Sequence, residues 1–266
     1  MDYVRSKSLI KKSIAKLVPH KTIQYRSMSL QGAFEDYGIL KAIAKGTHEP
    51  FFEQLFEQSI QPGMTIIDIG AHLGKYVLLA GQKLGSSGRV FAFEPHPRTF
   101  RYLERNVISN LPNGGVRIFN FAISKENSRA YLNADMLQSD YTSLSFVRDD
   151  REVQKFEIET RRLESVSPDL QSIDCMKIDV EGAELLALEG CEKIIAASKT
   201  EGRPLKLFIE SNPEALRAFG ASPQALLEKI AEMGFEKVRI IDEASRKLES
   251  LQPGWERHCH NLFCEF

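Results

Sequence analysis

The chain has 266 residues, with 35 lysines and arginines against 36 aspartates and glutamates, so its formal net charge is −1. This balance gives no broad attraction for a polyanion and argues against nucleic acid as a partner. No apolar run reaches the roughly 18 residues of a membrane-spanning helix, and the N-terminus lacks the apolar core of a signal peptide. We therefore expect a soluble, cytoplasmic protein with one α/β domain and a terminal extension.

The N-terminal segment is predicted to be helical. Residues 1–30 contain seven lysines or arginines and one acidic residue, and apolar residues recur at helical spacing up to Pro19. This pattern predicts a basic amphipathic helix that packs on the domain or forms a loose tail, with contact to an anionic membrane surface as the disfavoured alternative. A second helical region is expected over 35–59, ended by a Pro-Gly pair. Residues 1–60 are assigned to a helical extension or cap.

The rest of the chain, 61–266, alternates between predicted strands and helices. This rhythm predicts a doubly wound, mostly parallel, seven-stranded sheet. Helices are expected near 75–84, 97–109, 182–197 and 222–233. Strands are expected near 64–69, 89–93, 116–121, 174–179, 205–210, 236–241 and 260–265.

A long insertion at about 124–173 interrupts this rhythm between the third and fourth strands. Alternating apolar and polar residues at 156–160 predict an extra strand or hairpin within it. We expect this insertion to form a wall of the substrate site.

The cysteines show no Cys-x-x-Cys spacing, which favours free thiols in a reducing compartment over a disulfide framework. They are Cys175, Cys191, Cys259 and Cys264. His258 and His260 flank one of them, but the sequence offers no second ligand pair, so a surface loop is expected there instead of a metal site.

The first two core strands end in residues suited to a nucleoside. Asp68 closes the first strand, and Gly70 and Gly74 let a ligand approach the backbone closely. A pyrophosphate turn requires Gly-x-Gly-x-x-Gly, but His72 stands where the second glycine would be. Glu94, at the end of the second strand, can accept hydrogen bonds from both ribose hydroxyls. The pattern predicts a nucleoside cofactor without paired phosphates.

Two motifs resemble a known family. The Asp-x-Gly-x-x-x-Gly spacing after the first strand resembles motif I of class I S-adenosylmethionine (SAM) methyltransferases. Lys177–Gly182, with the sequence Lys-Ile-Asp-Val-Glu-Gly, resembles the signature of the FkbM methyltransferases, and Leu207–Pro213 resembles the next strand of that family. The resemblance runs from about Glu49 to the end of the chain. It implies a class I, Rossmann-like fold, strand order 3-2-1-4-5-7-6 with the last strand antiparallel, and a segment before the first strand that closes over the cofactor.

The resemblance also implies SAM as cofactor, and one position departs from it: we expect the family to favour asparagine where this chain has His72. The residues predicted to bind the cofactor lie in or after the first three strands. They are Asp68, Gly70, His72, Gly74, Glu94, Pro95, His96 and Ala122.

Three carboxylates follow the fourth and fifth strands and are the predicted catalytic residues, namely Asp179, Glu181 and Glu210. Gly182 favours a turn that places Asp179 and Glu181 on one rim. An alcohol needs a base or a metal to remove its proton. Mg²⁺ is possible but not favoured, because sulfonium compensation and acceptor binding also explain the charge. Lys177 is predicted to form a structural ion pair with a neighbouring carboxylate.

The predicted function is O-methylation of a FkbM type, directed at a hydroxyl of a sugar, glycolipid or polyketide-like small molecule. The acceptor class rests on the resemblance alone. Methylation of nitrogen or a carboxylate by the same cofactor is the first alternative, and a SAM-binding scaffold that has lost activity is the second. A nicotinamide-dependent dehydrogenase is disfavoured by His72. The sequence indicates neither the oligomeric state nor the pathway.

Overall fold

The structure is a computed structural model that describes residues 20–112, 114–135, 142–143 and 153–266. The predicted basic helix before Pro19 lies outside the described residues. No helix in these ranges is both long and apolar enough to cross a bilayer. All four cysteines are free, as predicted, and three of them are buried.

The strands are labelled in chain order. They are β1 (His20–Tyr25), β2 (Met28–Ala33), β3 (Thr65–Ile69), β4 (Arg89–Phe93), β5 (Val116–Phe119), β6 (Ala122–Ile123), β7 (Ser128–Asp135), β8 (Thr142–Ser143), β9 (Val153–Arg161), β10 (Cys175–Ile178), β11 (Lys206–Ser211), β12 (Lys237–Asp242), β13 (Lys247–Ser250) and β14 (His260–Glu265).

The α-helices are labelled in the same way. They are α1 (Tyr37–Ala44), α2 (Pro50–Ser59), α3 (Lys75–Leu84), α4 (Pro97–Asn110), α5 (Glu184–Glu189), α6 (Glu192–Thr200), α7 (Pro213–Ala218) and α8 (Pro223–Glu232). Short 3₁₀ turns occupy Phe34–Asp36, Leu163–Ser165 and Trp255–Arg257.

The central sheet confirms the predicted strand order. Within the described residues it runs β13-β12-β14-β11-β10-β3-β4-β5. Strand β14 is antiparallel to both β11 and β12, whereas β10, β3, β4 and β5 are parallel. The edge strand β13, which pairs with β12, was not predicted. Because the chain leaves β3 in one direction and returns through β10, the strand order reverses between these two neighbours, which is where α/β sheets bind ligands.

The sheet is covered on both faces. Every residue of β3 is buried, which explains its nearly continuous apolar sequence. Helices α1 to α4 pack on one face, where Ile66 and Phe208 contribute to the core, and α5 to α8 pack on the other, where Ile67 and Met176 contribute. Helices on both faces bury the strands and leave their carboxyl ends as the accessible edge.

The helical region predicted over 35–59 is present as two helices, α1 and α2, and the extension also contains a β1–β2 hairpin that was not predicted. Side-chain amides of α4 take the place of a third strand beside β2. Asn106 accepts from Gln31 N at 2.8 Å and donates to Gln31 O at 2.8 Å, and Asn110 does the same for Ser29 at 2.9 and 2.8 Å. The hairpin side chain Leu30 is fully buried in the same core as the central sheet. The described part of the extension, from His20 onward, is therefore packed on the domain.

The predicted helix over 182–197 was wrong in its continuity, because the structure divides it into α5 and α6 at Gly190. A Cβ atom at Gly190 would overlap the carbonyl oxygen of Ser124, so the helix break fits close against the start of the insertion. The predicted extra strand is confirmed: β9 pairs antiparallel with β7, and the described strands of the insertion form a small sheet in the order β6-β9-β7-β8.

The start of α2 is stabilised by a distant carboxylate. Glu243, in the turn between β12 and β13, accepts hydrogen bonds from Phe51 N at 2.8 Å and Phe52 N at 2.7 Å. A negative charge at a helix N-terminus is favourable, and hydrogen bonds to a charged group are each worth about 1.5–3 kcal/mol.

We predict that Glu243→Gln lowers the free energy of unfolding by about 1–2 kcal/mol, because the amide keeps one acceptor and loses the charge. Denaturant titration checks this value. Glu249→Gln, at an exposed carboxylate in β13, is the matched control and should leave stability within about 0.5 kcal/mol. Equal stability of the two variants would contradict the capping role.

Candidate active site

A cavity of about 280 Å³ lies at the carboxyl ends of β3, β4, β10 and β11. Its position matches the strand-order reversal. Most of the predicted site residues line it, namely Gly70, His72, Glu94, Pro95, Ala122, Asp179, Glu181 and Glu210. The other three, Asp68, Gly74 and His96, are not among its lining residues.

Glu94 is held in place at one end of the cavity. Its Oε2 accepts from His72 N at 2.9 Å and its Oε1 accepts from His96 N at 2.8 Å, while Asn120 donates to its backbone oxygen at 2.8 Å. Burial raises the pKa of the Glu94 carboxyl. Each carboxylate oxygen has a further lone pair, so Glu94 can still accept hydrogen bonds from a pair of hydroxyls.

His72 lies in the left-handed region, with φ 50°. Asparagine and histidine adopt this conformation more readily than most residues, which gives a physical reason why histidine serves where asparagine was expected. The His72 ring lines the cavity, and its Nε2 lies 3.8 Å from Asp36 Oδ1 in the N-terminal extension. The loop after β3 and the extension therefore meet at this side chain.

Gly74 and His96 shape the loops behind the cavity. Gly74 precedes α3 with φ 90°, and a Cβ there would lie 2.6 Å from Leu103 Cδ1. His96 Nδ1 accepts from Thr99 N at 3.2 Å and so caps α4, while its ring packs edge-on against Phe156. Burial lowers the pKa of His96 to about 4. The structure thus places both residues in supporting positions.

Asp68 is buried beneath the cavity and pairs with Lys177, as was predicted for this lysine. Lys177 Nζ lies 3.4 Å from Asp68 Oδ1 and 3.2 Å from Asp179 Oδ2, and it donates to Gly70 O at 3.4 Å. Burial alone would lower the pKa of Lys177, but the carboxylates of Asp179 and Asp68 outweigh burial and raise it. The lysine remains charged and joins the loops that follow β3 and β10.

Gly70 is required where the loops after β3 and β10 meet. Its φ is 81°, and a Cβ atom would overlap the carbonyl oxygen of Asp179. The sequence argument assigned this glycine to close approach of the cofactor. In the structure, its lack of a side chain first allows the two loops to touch.

The opposite end of the cavity is acidic. Asp179, Glu181 and Glu210 all line it, and positive φ values of 53° at Glu181 and 106° at Gly182 confirm the predicted turn. Glu210 Oε1 accepts from Cys259 Sγ at 3.4 Å, whereas Glu210 Oε2 is buried and has no hydrogen-bond partner among the described residues. Burial, followed by the charges of Asp179 and Glu181, raises the pKa of Glu210 well above its usual range.

Four lining residues near the start of α2 and α3 were not predicted as site residues. They are His48, Glu49, Lys75 and Tyr76. Glu49 accepts from the Tyr76 hydroxyl at 2.8 Å and from Asn261 Nδ2 at 2.9 Å. Lys75 is buried, pairs with Glu53 at 2.9 Å and donates to His48 O at 2.8 Å. The one available signal was Glu49, because the family resemblance begins at about this residue.

No three or more His, Cys, Asp or Glu side chains of the described ranges are grouped so that they could hold a metal ion.

Glu184 was part of the signature segment but had no predicted role. It is fully buried, and its Oε1 accepts from Val180 N at 3.1 Å and Gly182 N at 3.0 Å. Burial raises the pKa of the Glu184 carboxyl to about 7, although these amides act in the opposite direction. Glu184 thus fixes the turn that carries Glu181.

The raised pKa of Glu184 predicts a pH-dependent stability difference. The unfolded chain ionises near pH 4.5 and the folded chain near 7, so the stability from this group is complete below about 4.5 and is lost as pH rises through 7. Glu184→Gln cannot ionise. Between pH 4.5 and 8 its unfolding free energy should therefore gain roughly 2–3 kcal/mol relative to the natural protein. Denaturant titrations at several pH values measure this gain, and parallel curves would contradict it.

Comparison with known proteins agrees with this geometry. The family model described as the Methyltransferase FkbM domain matches residues 68–237. A protein named Methyltransferase 1 from Beauveria bassiana (strain ARSEF 2860) is 26% identical over 147 residues, which cover 48% of this chain and 58% of that protein. Methyltransferase sdnD from Sordaria araneosa is 29% identical over 157 residues, covering 48% of this chain and 60% of that protein. The chain thus matches about three fifths of the length of these relatives.

Solved structures with a similar fold are also named as methyltransferases. A TehB-like SAM-dependent methyltransferase from Corynebacterium glutamicum has a TM-score of 0.49 at 14% identity, covering 86% of this chain and 96% of the other. A SAM-dependent O-methyltransferase from Thermotoga maritima has a TM-score of 0.46 at 16% identity, covering 82% and 63%. Because the family model covers more than half of the sequence, including the loops after β3 and β10, this chain belongs to the FkbM methyltransferase domain family.

Proposed function

We propose that this protein is a SAM-dependent methyltransferase that methylates a hydroxyl of a small molecule, such as a sugar, a glycolipid or a polyketide-like compound. One observation carries the proposal: a single cavity has a fixed carboxylate, Glu94, at one end and three carboxylates at the other. The first end suits a ribose, and the second suits a hydroxyl that must lose its proton. Family membership supports methyl transfer, and the choice of a hydroxyl as acceptor rests on the cavity.

The residues of the first end fit SAM. Glu94 keeps acceptor capacity for the ribose hydroxyls, and the apolar side chains of Ile39, Ile43 and Leu132 provide a lining for the adenine. The His72 side chain stands in the loop where a dinucleotide would need glycine. When bound, SAM supplies a methyl group activated by a positively charged sulfur. The remaining predicted contacts, from Pro95 and Ala122, line the same part of the cavity.

The three carboxylates lie at different distances from the cofactor end of the cavity, and we assign their roles on that basis. Asp179 follows β10, the immediate neighbour of β3, whereas Glu210 ends β11, one strand further from the cofactor end. We assign proton removal from the acceptor hydroxyl to Asp179 and acceptor binding to Glu181 and Glu210. Lys177 fixes the position of Asp179 by their ion pair. Such a base contributes typically 10²–10⁴-fold in rate, and alignment of the reactants up to about 7–11 kcal/mol.

The carboxylates at the acidic end of the cavity also favour a hydroxyl acceptor over a carboxylate or nitrogen acceptor. A carboxylate acceptor would approach Asp179, Glu181 and Glu210 against like charge, which disfavours esterification. Methylation of nitrogen needs an uncharged amine, and the same carboxylates stabilise its protonated form. A hydroxyl avoids both difficulties. A scaffold without activity would bind SAM and transfer no methyl group to any acceptor.

We predict that Glu94→Gln weakens SAM binding by about 1.5–3 kcal/mol, the range for hydrogen bonds to a charged group, or roughly 10- to 150-fold. Gln retains one oxygen for the backbone amides, so the fold should persist. Calorimetric titration with SAM or S-adenosylhomocysteine measures the loss, and circular dichroism confirms folding. An unchanged dissociation constant would remove Glu94 from the cofactor site.

Asp179→Asn should show the opposite pattern. We expect the variant to bind S-adenosylhomocysteine within about threefold of the natural protein while its turnover falls at least about 100-fold, because the proton acceptor is lost. Binding is measured by calorimetry and turnover by transfer of a labelled methyl group across a panel of hydroxyl acceptors. Equal losses of binding and turnover would place Asp179 with the cofactor instead.

A further inference from the structure

We propose that the methyl acceptor carries a protonated amino group beside its reacting hydroxyl, and that Glu210, with Glu181, binds this ammonium. The acceptor would be an amino sugar or another amino alcohol. This inference rests on the proposed function and narrows its substrate class.

The buried oxygen of Glu210 is the first observation. Glu210 Oε1 has the thiol of Cys259 as a donor, but Oε2 is inaccessible to water and has no donor among the described residues. Among the buried carboxylates of this region, Glu94 and Glu184 each receive two backbone amides, although Oε2 of Glu184 also has no donor in the described ranges, and Asp68 pairs with Lys177. Within the described residues, the carboxylate of Glu210 receives neither a backbone amide nor a cation. A buried carboxylate oxygen without a donor is costly, and a ligand donor directed at it removes that cost.

The charge of the cavity is the second observation. In the described part of the chain, the carboxylates that line it are Glu49, Glu94, Asp179, Glu181 and Glu210, against the lysines Lys75 and Lys177. Both lysines are also held by carboxylates outside the lining, Lys75 by Glu53 at 2.9 Å and Lys177 by Asp68 at 3.4 Å. Burial lowers the pKa of His48, which keeps its imidazole neutral near pH 7. The cavity therefore has an excess of negative charge.

SAM does not balance this excess. Its sulfonium, ammonium and carboxylate sum to one positive charge. This is less than the difference between the lining carboxylates and the two lysines even when Glu210 is counted as protonated, because four carboxylates then remain. Glu94 and Glu210 end strands three positions apart in the sheet, a separation of about 14 Å at roughly 4.8 Å per strand. The sulfonium is one carbon from the ribose. Glu210 consequently lies beyond it, on the acceptor side.

An ammonium on the acceptor supplies both the hydrogen-bond donor that Glu210 lacks and the positive charge that the cavity lacks. It donates up to three hydrogen bonds and carries one positive charge. Binding of the ammonium changes the protonation state of Glu210. Without a cation, burial and the carboxylates of Asp179, Glu181 and Glu184 favour the protonated form of Glu210, in keeping with its raised pKa. When the ammonium binds, Glu210 ionises and its proton passes to solvent. A neutral polyol causes no such release.

Matched ligand pairs test the inference on the full chain saturated with S-adenosylhomocysteine. Glucosamine is compared with glucose, and serinol with glycerol, by calorimetric titration at about pH 6, where the amines are protonated. In at least one pair we expect the amine to bind at least about tenfold more tightly than its neutral parent, the lower end for a hydrogen bond to a charged group. Amines that bind no better than their parents, or no binding by any of the four, would overturn the inference.

Variants then locate the effect. Glu210→Gln should reduce the preference for the amine to less than about threefold and leave S-adenosylhomocysteine binding unchanged. Glu228→Gln, at an exposed carboxylate of α8, should keep the full preference. A preference that survives in Glu210→Gln overturns the assignment. If the natural protein does not bind S-adenosylhomocysteine, the proposed function itself is refuted. Failure of the proposed function is therefore distinguishable from failure of the inference about the ammonium.

A measurement on the natural protein needs no variant. Titration of the amine in two buffers of different ionisation enthalpy reports the protons released on binding. Because the pKa of Glu210 is raised, we expect the amine to release protons on binding, and zero release at every pH between about 5 and 7 overturns the inference. The same titrations are repeated with Mg²⁺. If Mg²⁺ brings a neutral parent to the affinity of its amine, the cation at Glu210 is a metal, and the inference fails.

Discussion

The site depends on one buried cation. Lys177 lies on β10 and contacts Asp68 of the neighbouring strand, Asp179 of its own strand end and the carbonyl oxygen of Gly70. An unpaired charge at this depth would cost several kcal/mol, and the carboxylates of Asp68 and Asp179 offset that cost. The contact also brings together the two loops that diverge at the strand-order reversal. The cavity exists between these loops, and its geometry follows from the ion pairs beneath it.

The contact between the loops after β3 and β10 also explains why these loops have glycine at two positions where a side chain would not fit. Asp179 can approach the loop after β3 only because Gly70 has no side chain, and Gly182 lies against the carbonyl oxygen of Ala215 in the same manner. The turn between these glycines places Glu181 at a positive φ, with the buried Glu184 carboxylate bonded to the turn amides. Steric space, backbone conformation and buried charge thus act on the same few residues.

Much of this fold follows from local sequence, and the remainder depends on distant partners. The buried strands were predictable because apolar runs such as β3 tolerate no other environment, and Gly182 marked its turn. The β1–β2 hairpin was not predictable, because the backbone groups at its edge form hydrogen bonds with the side chains of Asn106 and Asn110. Both asparagines lie on a helix, and their sequence positions do not indicate a neighbouring strand. Glu49 was missed as a lining residue for a similar reason, since its partner Asn261 is more than 200 positions away. The break at Gly190 likewise depends on a remote carbonyl oxygen.

Buried carboxylates in this protein differ in role according to their donors. Glu184 and Glu94 each accept two backbone amides, which anchor one in a turn and hold the other at the cavity with capacity to spare. Glu210 accepts from one weak thiol donor and has an oxygen with no donor in the described structure. Backbone amides hold Glu94 and Glu184 in position, and Lys177 balances the charge of Asp68, whereas Glu210 has neither within the described ranges and is stabilised by a proton or by a cationic ligand. By that criterion Glu210, which sequence position alone places beside Asp179 and Glu181, is the member of the acidic end most dependent on what binds there.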